Sequence, residues 1–313
     1  MADRAEVHLR PHDLVRLQKE VAPGKGVDIC ASISRIHRVY VAEDSIYHES
    51  TKDRGGLWVR DPAVASGVAE DTHPTICCGN HNELWIWWHD DAAVRCARSQ
   101  DFGASWEDNL ELGIGPIGGA KFPRCCFTVE GLFLCVSEPV LGPEFGGVAG
   151  LSFWKMYPDG PDGLAFGPAT ETLPGIPVQL ASVRGDHFNR KVLTYQIGPN
   201  TLHTRACDIR TWSPPFLVDT ATRTFTTHQT ILERAVYVYF NEAEQLMRSR
   251  TGGRLVGFGD EAAEPIGPAG LVVPQYMGVG ADRHGWFWMV GRRENGTVAV
   301  WFSEDRGFSW VLI

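Results

Sequence analysis

Cysteine and histidine are the residues of this sequence with the widest chemistry, since they bind metals, act as nucleophiles or bases and, for cysteine, form disulfides. The eight cysteines include two adjacent pairs, Cys77-Cys78 and Cys125-Cys126. No Cys-x-x-Cys occurs, and no histidine lies at zinc-finger spacing from a cysteine pair. Most of the cysteines lie in apolar, strand-like segments, which is typical of buried reduced thiols. The sequence therefore predicts no metal, no cofactor and no disulfide framework.

Three common catalytic motifs are absent from the chain. It has no Gly-x-Ser-x-Gly of serine hydrolases, no phosphate-binding P-loop and no His-Glu-x-x-His of zinc proteases. The eleven histidines do not pair at metal-ligand spacing. Any catalytic or binding group must therefore be assembled by the fold from distant parts of the chain.

Charge and hydropathy limit the possible function classes, and length limits the domain organisation. A formal net charge of −9 argues against a general nucleic-acid binder, because phosphate neutralisation needs clustered positive charge. No apolar run approaches the ~20 residues of a membrane span, and no secretory signal is visible at the N-terminus. We therefore expect a protein made in the cytoplasm. At 313 residues, the chain either forms two domains or divides its core by repetition.

An internal repeat decides between these alternatives. Residues 99–106 (SQDFGASW) and 303–310 (SEDRGFSW) both read Ser-x-Asp-x-Gly-x-Ser-Trp, and residues 51–58 (TKDRGGLW) depart from the pattern only at Thr51 and Leu57. The aspartate can accept hydrogen bonds from backbone N–H groups of its own turn, and the glycine can supply a positive φ. The tryptophan begins the next strand and carries apolar surface into the core.

Eroded copies end at residues 166, 212 and 256, so the unit recurs roughly every 50 residues. Each unit also contains two strand-like segments that predict a β-hairpin, such as ELWIWW followed by AVRCARS. In the first of these, Trp85 and Trp87 should share one face and Trp88 the other. An inner strand before the hairpin and the Trp-bearing strand after it give four strands per unit. The predicted units are 27–70, 71–117, 118–174, 175–221, 222–267 and 268–313.

The repeated motif resembles the Asp-box, or bacterial neuraminidase repeat, of the sialidase-like β-propeller superfamily. The resemblance implies an all-β fold, a six-bladed β-propeller of four-stranded antiparallel blades. It also implies that the boxes are structural and lie on the outer rim, away from the active face. Their residues are Asp53, Gly55, Trp58, Asp101, Gly103, Trp106, Asp305, Gly307 and Trp310.

Aligning the inner strands on the hairpins that follow them predicts which side chains reach the central face. The predicted ligand-contact set is Asp28, His73, Lys121, Arg124, Gln179, His228, Gln275 and Tyr276, with Thr227 beside His228. His73 and His228 could meet near the axis. Histidines that line a propeller are more often hydrogen-bonded structural residues than ligand contacts.

Sialidase catalysis, as the resemblance implies it, needs three arginines that clamp a carboxylate, an acid/base aspartate, and a tyrosine nucleophile activated by a glutamate. Tyr276 opens blade six, where the family's nucleophile lies, and Glu233 could be its partner. Arg124 is the single arginine of the central set, and Arg35-Ile36-His37 only partly matches the family's Arg-Ile-Pro motif. No arginine triad assembles, so we expect no catalytic residues. The alternative, a divergent sialidase-like glycoside hydrolase, would use Tyr276, Glu233 and Arg124.

Residues 1–26 lie outside the repeat. Pro11 suits the first turn of a helix, and Leu14, Leu17 and Val21 fall on one helical stripe. This extension could pack under the propeller or anchor it to a neighbouring structural protein. We expect a binding or assembly module that recognises a glycan or cell-surface receptor, such as a bacteriophage tail or capsid-fibre protein. The sequence does not determine the oligomeric state.

Overall fold

The structure is a computed structural model, and it describes the strands and most of the turns of the first two repeats and the strands of the remaining four. The described residues are 26–32, 34–52, 57–69, 72–79, 82–89, 94–111, 121–128, 131–138, 150–157, 165–166, 171–174, 178–185, 191–197, 201–208, 211–220, 222–229, 234–241, 243–244, 246–253, 264–265, 277–281, 286–292, 298–305 and 309–312. The predicted N-terminal helix lies outside them. No helix that could span a membrane is found in this part of the chain.

The described strands form six antiparallel sheets, which we number blade one to blade six in chain order. Three of them are simple four-stranded meanders. Blade two contains β6 (Thr75–Cys78), β7 (Leu84–His89), β8 (Val94–Ser99) and β9 (Glu107–Glu111). Blade five contains β20 (Thr222–Gln229), β21 (Arg234–Asn241), β22 (Leu246–Gly253) and β23 (Glu264–Pro265). Blade six contains β24 (Met277–Ala281), β25 (Phe287–Arg292), β26 (Val298–Ser303) and β27 (Val311–Leu312).

In the other three blades the outermost strand is split into two short segments that both pair with the third strand. Blade one contains β1 (Val27–Ala31), β2 (Ile36–Ala42), β3 (Ser45–Thr51), β4 (Val59–Arg60) and β5 (Ala65–Ser66). Blade three contains β10 (Lys121–Thr128), β11 (Gly131–Glu138), β12 (Gly150–Tyr157), β13 (Ala165–Phe166) and β14 (Glu171–Pro174). Blade four contains β15 (Val178–Gly185), β16 (Lys191–Ile197), β17 (Thr201–Asp208), β18 (Thr211–Trp212) and β19 (Phe216–Asp219).

Proline accounts for the split outer strands. Pro62, Pro168 and Pro214 each lie between the two segments of their blade. Because proline has no backbone N–H, it removes a hydrogen bond from the ladder and is tolerated only at an edge or a bulge. The outermost strand is an edge, so the interruption costs little there.

The six blades close into a ring. The first strand of each blade contacts the first strand of the next, in the order β1, β6, β10, β15, β20 and β24, and β24 in turn contacts β1. Each blade pairs only strands from its own stretch of chain. The ring is therefore closed by side-by-side packing of β24 against β1.

The hydrophobic core is divided among the interfaces between blades. Val39, Ile46 and Val41 of blade one pack with Ile86 and Trp88 of blade two. The opposite face of blade one packs on blade six through a second set, which includes Ile29, Tyr40, Ala42, Trp288 and Val290. The sheet of blade one is therefore apolar on both faces, which is why its inner strands read as nearly continuous hydrophobic runs.

The tryptophans of β7 confirm the predicted alternation of faces. The rings of Trp85 and Trp87 stack with centroids 6.1 Å apart, whereas Trp88 belongs to the interface with blade one. All three side chains are buried. They are core residues, as their place in an inner hairpin predicts.

The turns of residues 99–106 and 303–310 share one hydrogen-bond pattern. Asp101 Oδ1 accepts from the Ser105 N–H at 2.9 Å, and Asp305 Oδ1 accepts from the Ser309 N–H at 2.8 Å. The second oxygen of each aspartate accepts from the hydroxyl of the same serine. Gly103 has a φ of +93°. The predicted use of aspartate and glycine in this turn is confirmed for Asp101, Gly103 and Asp305, while Asp53, Gly55 and Gly307 lie outside the described residues.

The tryptophan that ends each motif directly precedes the last strand of its blade. Trp58 and Trp106 are half-buried and pack against the interfaces of blade one with blades six and two. Trp310 is buried and meets Phe287 edge to face, with ring centroids 6.5 Å apart. These three tryptophans thus attach the outer edges of blades one, two and six to the core.

Candidate functional site

Asp28 is buried where the innermost strands of three blades meet. Its Oδ2 accepts hydrogen bonds from the Thr75 hydroxyl at 2.7 Å and from the Ile76 N–H at 3.1 Å, and its Oδ1 accepts from the Ile29 N–H at 2.9 Å. On the other side, a Cβ on Gly278 would lie 2.3 Å from Asp28 Oδ1. Both carboxylate oxygens bind protein donors, so this aspartate joins blade one to blade two beneath the backbone of blade six.

Two more residues of the predicted central set have described side chains. His73 is buried just before β6. Arg124 is half-buried in β10, and its guanidinium donates a hydrogen bond to the Pro123 carbonyl at 3.1 Å. Both lie on or beside an innermost strand, where the alignment of hairpins placed them.

The innermost strands of blades three and four are irregular at the predicted central residues. The pairing register shifts between Lys121 and Arg124 in β10 and between Val178 and Ala181 in β15, around Gln179. Such bulges bend a strand and redirect its side chains, and they are enriched beside functional sites. His228 and Thr227 lie in β20, and their side chains are outside the described part.

The residues of the catalytic alternative are mostly not described. Tyr276 and Glu233 lie outside the described residues, as does Gln275 of the central set, so the catalytic alternative stays a hypothesis. Arg35 lies in the turn between β1 and β2, where Ser32 and Arg35 exchange hydrogen bonds. It is therefore not on an innermost strand, in agreement with its late position relative to the family motif.

A buried chain of polar side chains lies on the face of blade one that contacts blade two. The Ser32 hydroxyl is 3.0 Å from His37 Nε2, His37 Nδ1 is 3.0 Å from His48 Nε2, and His48 Nδ1 is 2.7 Å from Asp61 Oδ2. Both imidazoles are fully buried, while the serine and the aspartate are partly exposed. The arrangement can pass a proton between the two partly exposed ends, or hold one imidazole in a fixed orientation.

The split outer strand of blade one makes this chain of contacts reachable. Asp61 stands directly after β4 and before Pro62, where the ladder is interrupted, and its backbone N–H bonds the His48 carbonyl at 3.2 Å. Blade two covers the imidazoles, because Trp106 meets His48 edge to face at 5.3 Å and Phe102 stacks on His37 at 6.5 Å. Burial, followed by the nearby His48 and Arg35, holds the pKa of His37 well below its ordinary value.

The opposite face of blade one carries a buried ion pair. Arg38 Nε donates to Glu49 Oε2 at 2.9 Å, and the Tyr40 hydroxyl donates to Glu49 Oε1 at 2.8 Å. Burial, followed by the neighbouring Glu49 carboxylate, raises the pKa of Tyr40. A raised pKa keeps the phenol protonated, so the Tyr40 hydroxyl remains a hydrogen-bond donor to Glu49.

Arg38 of this ion pair and the exposed Arg60 each cover an aromatic ring. The Arg38 guanidinium lies 4.1 Å from the centre of the Trp58 ring, and that of Arg60 lies 3.7 Å from the centre of the Tyr47 ring. Cation–π contact of this kind orients both partners. The result is a strip of alternating aromatic and guanidinium groups that runs from the buried pair to the exposed Arg60.

Comparison with known proteins places these features in a recognised architecture. No family model matches the sequence, and no curated protein matches it. Solved structures do match: a fungal lectin from Aleuria aurantia, described by its six-bladed β-propeller fold and fucose recognition, superposes with a TM-score of 0.67 at 9% identity over 94% of this chain and 96% of the lectin. SapL1 lectin, in complex with alpha methyl fucoside, gives 0.62 at 14% identity over 94% and 96%. The Trypanosoma rangeli sialidase gives 0.58 at 10% identity over 90% of this chain and 54% of the sialidase chain.

The chain is a six-bladed β-propeller. The fold class predicted from the repeats is thereby confirmed. At these identities the similarity establishes the fold alone, and the propeller's function has to be argued from its residues.

Sequence analysis missed both polar chains of blade one. The repeat reveals what the blades share, whereas His37, His48, Arg38 and Glu49 are particular to blade one. A signal existed for the ion pair: in a hairpin with the two-residue turn at Glu43 and Asp44, Arg38 pairs with Glu49. Polar residues at paired positions of inner strands predict a buried polar contact. In the described part of the propeller, no group of three or more potential ligands could hold a metal ion.

Proposed function

We propose that this propeller is a non-catalytic carbohydrate-binding module. The observation that carries the proposal is the match over 94% of the chain to two propellers that are lectins, one of them in complex with a fucoside. The whole ring matches, and nearly the whole of each lectin is covered. Fold by itself does not determine function, so the central residues supply the second part of the argument.

We propose that the residues of the predicted central set contact the glycan and have no catalytic role. Arg124 beside the bulge of β10 contributes a planar array of N–H donors, which suits sugar hydroxyl and ring oxygens. The other proposed contacts are His73, Lys121, Gln179, His228, Gln275 and Tyr276. Asp28 supports the set from below, because its carboxylate already binds Thr75, Ile76 and Ile29.

A neutral glycan is the favoured ligand class. The formal net charge of −9 gives the molecule a negative field that opposes the approach of anionic sugars. A fucoside carries no charge, and SapL1 lectin was solved with alpha methyl fucoside. We therefore propose neutral glycans, with α-fucosides first among the probes.

A glycan array probed with the full-length chain tests this proposal. We expect binding to neutral glycans, with the signal reduced at least tenfold in Arg124→Ala. Arg98→Ala is the matched control. Arg98 lies in the third strand of blade two, forms an ion pair with Glu83 and is outside the proposed site. An array without a single bound glycan, or equal loss in the two variants, would contradict the proposal.

Glycoside hydrolysis is the second candidate, favoured by the structural similarity to the T. rangeli sialidase. Canonical glycosidases need a pair of carboxyl groups, or a tyrosine activated by a glutamate in sialidases. Turnover of a fluorogenic sialoside by the wild type, lost in Tyr276→Phe, would establish this alternative and exclude the non-catalytic proposal. We expect no turnover above buffer by either protein.

We also propose that the Ser-x-Asp-x-Gly-x-Ser-Trp turns are Asp-boxes and that the module belongs to a larger particle such as a phage tail or capsid fibre. The shared hydrogen-bond pattern around Asp101 and Asp305 supports the first part. The amphipathic pattern of Leu14, Leu17 and Val21 supports an anchoring role for residues 1–26. Deletion of these residues should abolish incorporation into the particle, and unchanged incorporation would refute the anchor.

A further inference from the structure

Two thiols from neighbouring blades meet at the first junction of the ring. Cys30 of β1 and Cys78 of β6 have Sγ atoms 2.6 Å apart, although 48 positions separate them in the chain. Neither of them is part of a disulfide. We propose that Cys30 and Cys78 are a thiol-modification site that a low-molecular-weight disulfide oxidises to an interblade crosslink.

The strands hold these two thiols in place. Asp28, two residues before Cys30, accepts hydrogen bonds from Thr75 and Ile76, three and two residues before Cys78. Residues two apart on a strand share a face. The same face of β1 that binds β6 through Asp28 therefore also presents Cys30 to Cys78, and the contact is set by backbone position.

Exposure separates this pair from the other described cysteines. Cys30 and Cys78 are half-buried, whereas Cys77, Cys96, Cys125 and Cys126 are buried. Burial, and then a hydrogen bond to Cys125, raises the pKa of Cys77, and burial raises the pKa of Cys96. Because the thiolate is the reactive form, the buried thiols are protected and an oxidant reaches Cys30 and Cys78 first.

The reaction proceeds by two exchanges. The thiolate of one cysteine attacks a sulfur of the small disulfide, which breaks the S–S bond and releases one small thiol. The second cysteine then attacks the protein sulfur of the mixed disulfide and releases the second small thiol. Two electrons pass from the protein sulfurs to the reagent, and the two cysteine protons leave with the released thiols.

Peptide mapping of the wild-type chain treated with glutathione disulfide tests the proposal. Trypsin places Cys30 in the peptide of residues 26–35 and Cys78 in that of residues 61–95. We expect these two peptides to be joined in the oxidised sample only, and separated by a reductant. A sample without this crosslink, or a mixed disulfide with glutathione that persists, would overturn the proposal.

Adjacent cysteines provide the matched control. The peptide of residues 61–95 also contains Cys77, which faces away toward Cys125. The crosslink should disappear in Cys78→Ser and persist in Cys77→Ser, and the reverse result would overturn the assignment. Cys30→Ser gives an independent loss if either blade-two variant fails to fold.

Alkylation and melting of the wild type add readouts that need no variant. Iodoacetamide should label Cys30 and Cys78 in the native reduced protein and neither of them after oxidation. Closing a loop between residues 30 and 78 restricts the unfolded chain. The oxidised protein should therefore melt about 3–8 °C above the reduced one. Unlabelled thiols in the reduced protein, or identical melting temperatures, would contradict the site.

Discussion

The buried histidines of blade one show how the packing of two blades sets the protonation state of a side chain. His37 is enclosed by its own sheet and by Phe102 of blade two, with His48 and Arg35 as its titratable and charged neighbours. Asp61 faces the far side of His48. A second proton would place positive charge in a buried space, so the interface favours the neutral imidazole of His37.

Stability should therefore fall in mildly acidic solution. The unfolded chain takes up a proton at His37 below its ordinary pKa of 6.5, whereas the folded chain does not, because its pKa is lowered. The unfolded state then binds more protons, and the free energy of unfolding decreases as the pH drops below about 6.5. We expect a contribution of up to about 1.4 kcal/mol per pH unit, measured by urea unfolding between pH 7 and pH 5.

Two substitutions isolate this contribution. His37→Gln retains a hydrogen-bonding side chain without a titratable group, so the slope of stability against pH should become shallower. His89→Gln removes a half-buried histidine at the end of β7 and serves as the control. An unchanged slope in His37→Gln would show that the imidazole titrates normally in the folded state.

The turn of residues 99–106 belongs to blade two and packs against blade one. Its Gly103 has a φ of +93°, and a Cβ at this position would lie 2.2 Å from His48 Cε1 of blade one. Hydrogen bonds from Ser99 and Ser105 to Asp101 hold the turn over the imidazole. The Ser105 hydroxyl and N–H bonds lower the pKa of Asp101.

Gly103→Ala should be far more disruptive than an alanine at another left-handed glycine. Gly67 has a φ of +73° with open space around it, so Gly67→Ala should cost only the backbone strain, about 1–2 kcal/mol. Gly103→Ala adds a collision with a buried ring and should cost at least about 3 kcal/mol. Urea unfolding of both variants measures the difference, and equal losses would contradict the seating of the turn on His48.

The sequence predicts the interior of this turn but not its contact. The Asp-to-Ser hydrogen bonds and the positive φ of Gly103 follow from residues only four positions apart, which is why the repeat reveals them. His48 lies 55 positions earlier, and its place under Gly103 depends on how two sheets pack. The same limit applies to the Ser32–His37–His48–Asp61 chain and to the Cys30–Cys78 contact.

At the scale of the whole molecule, the ring is closed by the close approach of two backbones. A Cβ on Gly278 of β24 would lie 2.8 Å from both Asp28 Cα and Ile29 N of β1. Rotation of a side chain does not relieve contacts with backbone atoms. Glycine at this position therefore permits blade six to reach blade one.

Gly278→Ala should open or strain the closure, with a loss of several kcal/mol and faster proteolysis of the native protein. Gly280→Ala is the matched control two residues further along β24, because its nearest contact would be Cys30 Cα at 3.2 Å. It should cost about 1 kcal/mol or less. Similar stability of the two variants in thermal unfolding would show that β24 does not approach β1 so closely.

The architecture could be predicted because its unit is repeated along the sequence. The site could not be predicted in the same way, because its residues do not recur from blade to blade. Six copies of one pattern average out local ambiguity, so strand order and blade number emerge from the spacing of the Trp-ended motifs. Central residues are single positions on bulged strands, and an alignment of hairpins places Arg124 or Gln179 on a strand without giving the direction of its side chain. Asp28 illustrates this: its strand was predicted, and its hydrogen bonds to blade two were not.

The central claim is that the propeller binds a neutral glycan and leaves it intact. Its most direct test is a titration of the full-length chain with the glycan that gives the strongest array signal, followed by mass spectrometry of the recovered glycan. We predict saturable binding, weakened in Arg124→Ala, and recovery of the uncleaved glycan. Absence of saturable binding, or recovery of a cleaved product, would contradict the account.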